Sequence, residues 1–101
     1  MIIVAALALS GCATVGALRE RPAILDQTSA KPLGEFQACF AKQFDRQIAP
    51  RFLPAGTGGT YTYEISNTVF WVLDVEVAET GTRAILHGGD AGLVQQIKAC
   101  L

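Results

Sequence analysis

The sequence predicts an α+β domain in the order helix, three-stranded antiparallel meander, helix, with both helices packed on one sheet face. Three observations predict it. Phenylalanines recur every fourth residue at Phe36, Phe40 and Phe44, the spacing that lines one side of an α-helix. Polar and apolar side chains then alternate between residues 60 and 87, broken by two turns too short for a parallel crossover. After Asp90 an apolar stripe returns at helical spacing and runs to Leu101.

Totals narrow the function. A chain of 101 residues is one domain at most. Its formal charge of −1 gives no basic footprint, so nucleic acid is not an expected partner. The apolar content is unevenly placed. Residues 2 to 9, IIVAALAL, are apolar without a break, too few for the roughly 20 that span a bilayer. Such a run suits the apolar region of a secretory signal peptide.

The end of that run and the three residues after it, Leu9-Ser10-Gly11-Cys12, resemble the lipobox of bacterial lipoproteins. Small residues at Ser10 and Gly11 suit a narrow protease site, and Leu9 ends the apolar run. The resemblance implies that the Cys12 sulfur receives a diacylglyceryl group. A signal peptidase then cuts before Cys12, and the new amine takes a fatty acyl chain such as palmitate. By the same resemblance, to small lipoproteins of Gram-negative bacteria, Ala13 in place of the inner-membrane Asp implies the outer membrane, facing the periplasm. The alternative is an N-terminal strand or helix that buries Cys12.

On this reading residues 1–11 are the signal peptide, 12–31 the lipidated N-terminus and a tether, and 32–101 the folded domain. The tether segment has Pro22 within it and Pro32 directly after it, several small residues and no sustained period. About 20 flexible residues would hold the domain some 25 Å from its anchor on average. The alternative for Pro22-Ala23-Ile24-Leu25 is a short edge strand added to the domain.

The first helix is expected from Leu33 to Ile48. Pro32 suits its first turn, where a missing N–H costs little, and Glu35 suits the positive end of the helix dipole. Pro50 closes it, and residues 54–59, PAGTGG, read as a loop. In the meander, Tyr61, Tyr63 and Ile65 share one side of the first strand. Val69, Trp71, Leu73, Val75 and Val77 share one face of the second, opposite Phe70, Val72, Asp74 and Glu76. Arg83–His87 is the third strand. Asp90 is a good N-cap for the last helix, whose stripe is Leu93, Val94, Ile97, Cys100 and Leu101.

Cys39 and Cys100 fall on the apolar faces of the two helices, which cover the same sheet face. In an oxidising envelope compartment, a disulfide between them is the economical pairing. Two buried free thiols are the alternative. A zinc pair is poorly served by a single His and no CxxC.

No cofactor or metal is expected. The lone histidine, in His87-Gly88-Gly89-Asp90, has no nucleophile in a recognisable motif. The glycines of residues 56–60 lack the Lys-Ser/Thr of a phosphate loop. Asp74 and Glu76 read as solvated charges. What stands out is Phe70 and Val72, joined by Ile85, on a sheet face that two helices on the other side leave open. That patch is either a partner contact or is covered by the tether through Ile24 and Leu25. The expected function is a membrane-anchored envelope lipoprotein that binds or scaffolds and does not catalyse. The alternative is an inhibitor or accessory factor of an envelope hydrolase or secretion machine.

Overall fold

The computed structural model describes residues 14–44 and 47–101, so the expected signal peptide and Cys12 lie outside the described residues. Eight elements follow in chain order: α1 (Val15–Arg19), β1 (Leu25–Ser29), α2 (Leu33–Lys42), β2 (Arg51–Ala55), β3 (Gly58–Ile65), β4 (Thr68–Ala78), β5 (Gly81–Gly88) and α3 (Ala91–Lys98). The strands form one five-stranded sheet in the order β1-β5-β4-β3-β2, and every neighbouring pair is antiparallel. This corrects the expected three-stranded meander with two helices: both sheet edges and a third helix were missing from it.

The missing strands are edges, and edges advertise themselves poorly. β1 buries only Leu25 and is held by backbone pairing to β5, from Leu25 opposite Leu86 to Ser29 opposite Thr82. β2 contains Pro54, which cannot donate to a ladder and is tolerated only at an edge. The segment expected as a loop over residues 54–59 is the β2–β3 hairpin, turning at Gly56 with φ +59°. Gly59 has no side chain because Phe52 occupies the space: a Cβ there would stand 2.5 Å from the Phe52 ring.

β1 and β2 run in the same direction at opposite edges, so α2 crosses the whole sheet between them. Four strand spacings amount to about 19 Å, which a helix of 10 residues, with its flanking segments, can cover. α2 ends at Lys42 rather than Ile48. Phe36 and Phe40 are fully buried, and Phe40 makes edge-to-face contacts with Tyr61 and Trp71. α3 lies on the same face through Leu93 and Ile97, with the Asp90 side chain accepting from the Leu93 N–H at 2.9 Å. Cys39 and Cys100 are joined by a disulfide across a separation of 61 residues, with Cα atoms 5.5 Å apart.

The other face carries α1. Thr14 caps it, its hydroxyl accepting from the Ala17 N–H at 3.1 Å. Five residues are far too few for a helix to stand alone in water. Tertiary packing holds it instead: Leu18 is 2% exposed and forms a second core with Val69 and Val72. Burying one such leucine contributes about 1.5–3 kcal/mol. Arg19 then donates to both carboxylate oxygens of Asp74. Residues 14–29, expected within a tether, therefore supply a helix and a strand, and the sheet is covered on both faces.

Candidate functional site

The open sheet face expected to hold Phe70, Val72 and Ile85 does not exist. Val72 is fully buried under α1 and Ile85 is half-buried on the same side. Leu18 provides the cover, not Ile24 and Leu25, which lie at β1 on the sheet edge. Phe70 has left that face altogether. Tyr63 pairs with Trp71 and Glu64 with Val69, so Phe70 is the extra residue of a β-bulge. A bulge shifts the alternation of a strand by one. Phe70 therefore sits beside Tyr63, with ring centroids 6.3 Å apart, while Val69 turns to α1. Straight alternation puts both residues on the wrong faces.

The consequence is an exposed apolar rim at one end of the molecule. There β3 ends, β4 begins and the chain enters β2. Phe70 is 49% exposed, Ile65 48% and Ile48 77%. Ile48 and Ile65 line one shallow pocket beside Tyr63, and Ile65 and Phe70 line the next. A third, of about 440 Å³, opens between Trp71, Phe44 and the start of α3. Its polar lining is Gln47, Gln96 and Asp90. The stacked Tyr63 and Trp71 rings, 6.0 Å apart, form its stiff wall.

Sequence reasoning missed this rim because Ile48 was assigned to a helix face and Ile65 to the core side.

The ion-paired groups lie elsewhere, on the α1 side. Asp74 accepts from Arg19 and from the Thr60 hydroxyl, at 2.7 Å in the latter case. The hydrogen bonds that Arg19 donates to Asp74 raise the guanidinium pKa above its ordinary value, against a smaller opposing effect of burial. Arg83 bridges Asp26 on β1 and Glu76 on β4. Hydrogen bonding from Arg83 holds the Asp26 carboxyl below the ordinary carboxylate value. Asp74 and Glu76, expected as plain solvated charges, are thus ion-paired. They tie α1 and adjoining strands to the sheet.

His87 and Asp90 do not come together. His87 lies opposite Val72 on the α1 side, and its buried Nδ1 has no hydrogen-bond partner. Asp90 caps α3 on the other side. Among the described residues no three His, Cys, Asp or Glu side chains gather to hold a metal ion, and no helix is long and apolar enough to cross a membrane. No family model matches this chain, no curated protein matches it, and no solved structure matches its fold.

Proposed function

We propose that this protein is a lipid-anchored envelope lipoprotein whose domain binds or scaffolds and does not catalyse. Cysteine usage carries the reading. Cys39 and Cys100 are joined to each other, which leaves Cys12 as the one cysteine needing a separate role. It stands directly after an apolar run and two small residues, in Leu9-Ser10-Gly11-Cys12. A bridge in so small a domain suits an oxidising compartment, and a diacylglyceryl group on the Cys12 sulfur supplies the anchor. The outer membrane, periplasmic side, is the proposed address, on Ala13 after the lipidated cysteine.

Replacing Cys12 with Ala tests the anchor. Fatty-acid labelling and membrane fractionation should both be lost, and labelling that persists would contradict the reading. The alternative role, an inhibitor or accessory factor of an envelope hydrolase or secretion machine, is favoured by the exposed Phe70 on the rim. A photo-crosslinking residue at Phe70 in intact cells separates the two. Capture of one hydrolase or secretion component supports the accessory role.

A further inference from the structure

We propose that the apolar rim of Ile48, Ile65 and Phe70 is a bilayer-contacting surface that rests in the lipid interface beside the Cys12 anchor. The proposal rests on the lipoprotein reading and adds an orientation to it.

The course of α1 carries the argument. Val15 packs against the cluster of Leu18, Val69 and Val72 in the first half of β4, whereas Arg19 reaches Asp74 further along the same strand. The N-terminus of α1 therefore points to the end of the sheet where β4 begins. Ile65 and Phe70 are at that same end. Thr14 is the first described residue, and one residue, Ala13, separates it from Cys12. Two peptide units span at most about 7 Å. Whatever path they take, a lipid on Cys12 holds this end of the domain at the headgroups. A 25 Å tether, as expected from composition, would have left the orientation free.

The distribution of exposed apolar side chains agrees. Among the described residues six large ones are exposed: Ile24, Ile48, Leu53, Ile65, Phe70 and Val77. Four of them lie at this end, where β1 and β2 start, β3 stops and β4 starts. Three share the adjoining shallow pockets of the rim. Val77 lies at the opposite end and Leu53 midway along an edge. The rim's charges are mixed, with Arg51 and Glu64 side by side in one pocket. Contact is therefore apolar, and salt should not weaken it as it weakens an attraction between exposed charges.

The test uses the full lipidated chain in vesicles of phosphatidylethanolamine and phosphatidylglycerol. An environment-sensitive fluorophore is placed at Ile65→Cys or, at the far end, Thr80→Cys. Intact mass confirms the acyl groups and the Cys39–Cys100 bridge in each. Acyl chains brominated near the headgroup should quench position 65 and leave position 80 unquenched, in low and high salt alike. Acylated protein quenched at neither position, or equally at both, overturns the docking and leaves the anchor standing. A blue-shifted but unquenched label at 65 means that protein covers the rim, a second copy or a partner, and also overturns it. Protein without acyl groups on Cys12 removes the anchor, and the docking falls with it.

Discussion

Leu18 packs against Val72 across the second face of the sheet, and both are closed to solvent, at 2% and 0% exposure. That contact makes α1 part of the fold rather than a leader to it.

Leu18→Ala should cost about 2–4 kcal/mol, the range for emptying a buried leucine site. Loss of the anchor releases α1 and uncovers Val72. Urea denaturation measures it. A change within about 0.5 kcal/mol, the range for a surface substitution, would mean that α1 does not dock.

Neighbours on β4 should respond oppositely, because the bulge separates them. Val72→Asp buries a carboxylate beneath Leu18, facing only the His87 imidazole across the ladder, and the domain should be strongly destabilised. Phe70→Ser, at an exposed position, should leave a folded protein with a near-native melting temperature. Equal damage from both, judged by circular dichroism, would contradict the bulge.

The Cys39–Cys100 bridge closes a loop of 61 residues, worth on the order of 4 kcal/mol in the chain-entropy model. It also ties α3, the last element, to α2. The double variant Cys39→Ser, Cys100→Ser should lose a stabilisation of that size. Reductant should destabilise the parent chain and not the variant. An unchanged denaturation midpoint in reductant would contradict the bridge.

Asp26 pairs with Arg83 across β1 and β5, and its folded pKa lies below the unfolded one. The pair's contribution is therefore full above the unfolded carboxyl value and is lost as pH falls through the lowered folded value. Both groups are largely solvated, so the effect on stability is small. A carboxyl carbon NMR titration should place the Asp26 midpoint below its value in Arg83→Gln. Coincident midpoints would show that the pair does not form in solution.

The legible parts of this fold were those with a strong local period. The phenylalanines of α2 and the capped stripe of α3 announce helices that bury one face. Their cysteines announced the covalent link between them. β3 to β5 were legible through alternation and turn residues. Ser66 and Asn67 both take positive φ, as a tight hairpin turn requires. The β2 edge was not legible, and β1 was legible only as the alternative edge strand at Pro22–Leu25, because backbone pairing rather than side-chain burial holds both. α1 was hidden by its length, since one buried leucine and one ion pair leave no period. The bulge at Phe70 was hidden too, and it moved the candidate surface from the middle of a face to the end of the sheet.

The most direct test of the account is the intact mass of the mature protein purified from membranes. Lipidation at Cys12 predicts a chain that begins at Cys12, carries a diacylglyceryl group and an amine-linked acyl chain, and gains two hydrogens on reduction. A chain that retains residues 1–11, or that bears a free thiol at Cys12, would contradict it.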